Sequence, residues 1–93
     1  MRKLIAYGAV WCDPCKRMAP VIDRVFSDSD FQSWYSGIER VDVDADPVRA
    51  AKAGVNALPT YVIVDEGGNE IKRHVGVWNG PYIEQKLREW LTS

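Results

Sequence analysis

The sequence has little with which to build a metal centre, a membrane segment or a nucleic-acid interface. Its 93 residues include one histidine and two cysteines. A zinc site built on those cysteines would need two more ligands, and His74 is the one conventional candidate left. Lysine and arginine number 12 against 13 for aspartate and glutamate, a net charge of −1. That balance provides no basic stripe of the kind non-specific nucleic-acid binding requires. No apolar run approaches the length of a membrane span. Repeats, linkers and low-complexity segments are also missing, and the length suits one domain, residues 1–93, around one core.

Met1-Arg2-Lys3 followed by Leu4-Ile5-Ala6-Tyr7-Gly8-Ala9-Val10 has the outline of a signal-peptide start, but the apolar run breaks at Gly8. Cleavage near Ala9 would also leave both cysteines at the very start of the mature chain. The segment therefore reads as a strand, and the expected compartment is the cytoplasm. A lone CxxC there is catalytic or metal-binding more often than structural.

What the chain does have is Trp11-Cys12-Asp13-Pro14-Cys15-Lys16, two cysteines placed where an apolar strand gives way to a helix. Pro14 suits the first helical turn, so free backbone amides and the positive end of the helix dipole should lie near Cys12. Lys16 adds a cation one turn away. Both features lower a thiol pKa, and only a thiolate attacks a disulfide. The expected roles are therefore an exposed nucleophile, Cys12, and a more buried resolving thiol, Cys15. Neither role needs a metal or an organic cofactor. Half of a zinc site and a pair of inert buried thiols are the competing readings of the spacing.

Around this motif the periodicities alternate. Leu4–Tyr7 reads as a buried strand, and Met18, Val21, Ile22, Val25 and Phe26 form one apolar helix face interrupted by Pro20, where a kink is expected. Ser27–Gly37 reads as a helix end and connection. Val41 and Val43 alternate with Arg40, Asp42 and Asp44, as in a half-buried strand whose charges suit a sheet edge. Asp46-Pro47 opens a short helix to Lys52, closed at Gly54. Leu58–Val64 and Glu70–Val75 form a hairpin through Asp65–Asn69. Asn79-Gly80-Pro81 starts a last helix with Ile83, Leu87, Trp90 and Leu91 as its apolar stripe. The order βαβαββα implies an α/β fold, a four-stranded mixed sheet flanked by three helices. His74 reads as a solvent-facing strand residue, and Trp11 as a ring packed under the dithiol. Trp78 is a lesser candidate for the rim of a groove. Trp34 and Trp90 read as core or cover.

On Trp11–Lys16, Pro20, Leu58-Pro59-Thr60 and Gly76, the chain resembles the thioredoxin family over roughly residues 3 to 92. The resemblance implies a thioredoxin fold, a cis bond before Pro59 facing the dithiol, and a substrate groove at Leu58, Pro59, Thr60 and Gly76, with Trp11, Asp13, Pro14 and Lys16 supporting Cys12 and Cys15. It implies reduction of protein disulfides through a mixed disulfide, recharging by a thioredoxin reductase-type donor, and a monomer without metal, cofactor, nucleic acid or membrane. Departures from the family pattern are expected too. The usual strand and helix before the active-site strand have no counterpart here, which makes the Val41–Asp44 strand a sheet edge. The buried aspartate that helps deprotonate the second cysteine is replaced by Ala6, with Arg40 near the position of its usual lysine partner. Asp13 stands where glycine is more usual and should raise the Cys12 pKa, favouring a reductant. A glutathione-dependent reductant, an oxidase or isomerase, and a partner-binding module with incidental redox activity are the alternatives.

Overall fold

A computed structural model describes residues 1–93. The elements in order are β1 (Arg2–Gly8), α1 (Asp13–Phe26), α2 (Ser29–Gln32), β2 (Tyr35–Asp42), α3 (Pro47–Lys52), β3 (Thr60–Val64), β4 (Glu70–Val75) and α4 (Ile83–Thr92). They form one four-stranded sheet in the order β2-β1-β3-β4, with β1 parallel to β2 and antiparallel to β3, and β3 antiparallel to β4. The mixed sheet, the buried run of β1 and the edge position of β2 agree with the sequence reading.

Alternation along the central strands sorts their side chains onto two faces. Leu4, Tyr61 and Ile63 pack with Met18, Ile22 and Val25 of α1 and Leu87 and Leu91 of α4. Ile5, Tyr7, Val62 and Val64 point the other way, onto Val41 and Ala50. All five residues of β3 are buried, as expected of a strand covered on both sides. Tyr35 ties β2 to the end of α4 through a 2.5 Å hydrogen bond from its hydroxyl to the Leu91 carbonyl. On the second face, Glu39 accepts from Lys3 at 2.8 Å and from Arg49. The Arg49 guanidinium, then Lys3, hold its carboxyl down to about 2.

The structure departs from expectation in four places, one being that β3 begins at Thr60 rather than at Leu58. The connection after α1 contains a fourth helix, the four-residue α2, capped by the Asp28 carboxylate on the Asp30 N–H at 3.1 Å. Strand β2 begins at Tyr35 and ends at Asp42, so Val43 and Asp44 lie beyond it. The last helix begins at Ile83 rather than at Pro81, because Tyr82 adopts a left-handed conformation at φ 63° before the first turn. Helix α1 continues through Pro20 to Phe26. Helix α3 is closed as expected, with Gly54 at φ 70° just past its end.

Candidate active site

The turn after β1 delivers Cys12 to the N-cap of α1, with Asp13 and Pro14 opening the helix. Cys12 and Cys15 are joined as a disulfide, with Cα atoms 5.3 Å apart. The Cys15 backbone N–H points at the Cys12 sulfur, 3.2 Å away, using one of the amides that a helix start leaves free. On reduction, that donor and the positive helix end favour negative charge on Cys12.

The order of burial is the reverse of the one expected. In this oxidised form Cys12 is only 4% exposed, while Cys15 is half-buried. The N-cap position explains part of this, because it folds the Cys12 side chain back over the first turn of its own helix. The two sulfurs also border different spaces. Cys12 lies in an open groove of about 590 Å³ with Trp11, Pro14, Val55, Ala57 and Leu58. Cys15 borders a second open pocket of about 290 Å³ that also takes in Gly8, Lys16 and Pro59. At Gly8 the sulfur packs directly on the backbone. A Cβ built there would lie 3.2 Å from the Cys15 sulfur, so even alanine would press on the dithiol.

Trp11 does not pack under the dithiol. It is 63% exposed, and its indole N–H donates to the Asp44 carboxylate at 2.7 Å, which pins it beside the groove. Asp44 was missed as a site residue. A carboxylate just past the end of a strand, in an Asx turn on Asp42 at 2.9 Å, was the available signal.

The bond between Leu58 and Pro59 is cis. Leu58 reaches the groove, whereas Pro59 faces the Cys15 cavity. Thr60 is buried and lines neither space; its hydroxyl holds the loop by donating to the Ala57 carbonyl at 2.7 Å. Gly76, at φ 93°, donates its N–H to the Pro59 carbonyl at 2.8 Å, and nothing lies within 4 Å of where a side chain would begin. Trp11, Asp13, Pro14 and Leu58 thus share the groove with Cys12, while Lys16 and Pro59 belong to the Cys15 side.

The Thioredoxin family model matches residues 1–92. The chain belongs to the thioredoxin family. Thioredoxin of Staphylococcus haemolyticus is 38% identical over 65 residues, covering 70% of this chain and 60% of that protein. The matched region is thus under two thirds of the length of that relative. The bifunctional thioredoxin reductase/thioredoxin of Mycobacterium leprae is 36% identical over 73 residues, 78% of this chain and 15% of that protein. The X-ray structure of Fasciola hepatica thioredoxin superposes with a TM-score of 0.77 at 32% identity, covering 98% of this chain and 78% of that one.

Within this thioredoxin fold, His74 and Trp78 occupy neither the solvent-facing position nor the groove rim considered from the sequence. The His74 ring stacks on Trp78 at 3.9 Å and meets the edge of Trp90 at 5.8 Å, and its Nε2 is buried without a hydrogen-bond partner. Burial pushes the His74 pKa below its ordinary 6.5, against a smaller opposing effect of the Val77 backbone. The fold therefore prefers neutral histidine, whereas the unfolded chain binds the proton readily. His74 favours the folded state fully above about pH 6.5, and this contribution is lost as the pH falls below that value. Glu39 adds its own acid loss only lower, below its ordinary 4.5 and toward about 2. Melting temperatures recorded against pH should therefore fall first in the histidine window. A His74→Phe variant, which keeps the aromatic stack, should lose that early drop and retain the later one.

Proposed function

We propose that the chain is a protein-disulfide oxidoreductase that works as a reductant. The observation that carries this reading is the Cys12–Cys15 pair at the start of α1, with an amide on the Cys12 sulfur and an open apolar groove beside it. The Cys12 thiolate attacks one sulfur of a substrate disulfide. A Cys12–substrate disulfide forms, and the first substrate thiolate leaves and takes a proton from solvent. Cys15 then loses its proton and attacks the Cys12 sulfur. The Cys12–Cys15 bond closes and the second substrate thiolate departs. Two electrons pass from the dithiol to the substrate, and no metal or organic cofactor takes part.

Trp11 and Leu58 supply the apolar walls on which an extended protein segment would rest, with Gly76 leaving room beside the Pro59 carbonyl. The Asp13 carboxylate disfavours negative charge on Cys12 and so tilts the couple toward reducing power. A reductase of the thioredoxin reductase type would recharge the dithiol. The fusion of a reductase to a thioredoxin in the M. leprae relative supports that pairing. No helix of the chain is long and apolar enough to cross a membrane. Action as a monomer in the cytoplasm completes the proposal. Reduction of an unfolded protein's disulfides by catalytic amounts of the chain, driven by a dithiol donor, tests it. Turnover with glutathione as the sole electron source would favour the glutathione-dependent reading instead.

A further inference from the structure

One row of side chains crosses the sheet beneath the dithiol. Strand pairing aligns Arg40 of β2 with Ala6 of β1, Ala6 with Tyr61 of β3, and Tyr61 with His74 of β4. Partners in register point to the same face, here the one covered by α1. The small methyl group of Ala6, in the middle of the row, opens the cavity of about 290 Å³ that Cys15, Arg40 and Tyr61 line together. That volume admits water, and its polar edges give water partners.

Tyr61 is 2% exposed, and no protein group hydrogen-bonds its hydroxyl, whereas the Tyr35 hydroxyl has a carbonyl acceptor. Burial, opposed by the Arg40 charge, pushes the Tyr61 phenol up to about 12. It therefore stays protonated across the working pH range and acts as a donor. The other charged groups around Cys15 are less available. The Asp42 carboxylate also borders the cavity but accepts the Asp44 N–H at 2.9 Å. Asp23, further along α1, is paired with Arg40 at 2.9 Å. Lys16 is exposed, the Tyr7 ring packs on the opposite face, and His74 at the end of the row is stacked on Trp78.

We propose that the Tyr61 hydroxyl is a positioning residue that donates, through water in this cavity, to the developing Cys15 thiolate and so sets the pH at which Cys15 resolves the mixed disulfide. The proposal rests on the oxidoreductase reading and makes that reading more specific. Cys15 gives its proton to solvent, and its electron pair forms the bond to the Cys12 sulfur. Tyr61 keeps its own proton and stabilises the anion by a charge-assisted hydrogen bond.

An aromatic disulfide that releases a coloured thiolate separates the two steps in the reduced full-length chain. The first release reports attack by Cys12, and the second reports displacement by Cys15. Tyr61→Phe should slow the second phase about tenfold near neutral pH and move its midpoint upward by about one unit, with the first phase unchanged. Tyr61→Leu, which fills the site without a hydroxyl, should behave in the same way. In a Cys12→Ser background, ultraviolet titration of the remaining thiolate should show the same upward shift when Tyr61 is replaced. A role confined to packing would leave that titration in place. Coincident second-phase profiles for wild type and both variants would overturn the proposal. So would a shift produced by Asp42→Asn and not by Tyr61→Phe, because the carboxylate would then be the responsible group. A wild-type chain with no second phase would instead overturn the oxidoreductase reading itself, and this proposal with it.

Discussion

Replacing Cys12 by serine is expected to reduce disulfide-reducing activity to background, a loss of at least about a thousandfold. A hydroxyl in the same place receives the Cys15 N–H and the helix dipole, but it is not ionised near neutral pH and does not exchange with a disulfide. Cys15→Ser should fail differently. Cys12 retains its position and its amide donor, so the first attack proceeds and the chain stops as a covalent adduct. Non-reducing electrophoresis against a disulfide-bonded protein should show an adduct with Cys15→Ser and none with Cys12→Ser. The reverse pattern would assign attack to Cys15. That outcome is worth testing, because Cys12 is the more covered of the two in the oxidised form.

The second large effect concerns stability. Leu87 of α4 is fully buried among Ile22, Val25, Ile63 and Leu91, where the helix covers the α1 face of the sheet. Leu87→Ala removes three carbons from a packed site. It should cost about 3 kcal/mol, out of the roughly 5–15 kcal/mol that holds such a domain together. A chain of this length should then melt about 10–20 °C lower. Because α4 packs against α1, which carries the dithiol, activity should decline with the folded fraction and recover on cooling. Thermal melting of the purified variant checks the size of the effect. A change below about 1 kcal/mol would mean that the site collapses around the smaller side chain.

Features governed by local sequence were legible. The Asp65–Asn69 turn is fixed by three hydrogen bonds from Gly67 and Asn69 to the Asp65 carboxylate, and β4 accordingly spans the residues expected, Glu70–Val75. The Asp46 cap on the Arg49 N–H at 3.2 Å gave α3 its start. The CxxC motif announced its place because a strand ends and a helix begins there. Helix α2 escaped because four residues are too few to show a period. The first half of β2 escaped because Ser36 and Gly37 interrupt its alternation, and pairing with β1 holds it in place.

The misread site residues depend on partners distant in sequence. His74 is half-buried against Trp78 and Trp90, which arrive with the following loop and helix. Trp11 stays outside because Asp44, from beyond β2, holds its indole. Nor does periodicity show that Cys15 would open onto a cavity. That cavity exists because Ala6, Arg40 and Tyr61 align across three strands.

The most direct measurement of the central claim is turnover. Catalytic amounts of the reduced chain are added to an unfolded protein bearing disulfides, with a dithiol as electron source, and appearance of new thiols is followed over time. The proposed function predicts many substrate disulfides reduced per molecule of chain, with the acceleration lost when either cysteine is replaced. A rate no faster than the dithiol alone would contradict it and leave the fold as a binding surface.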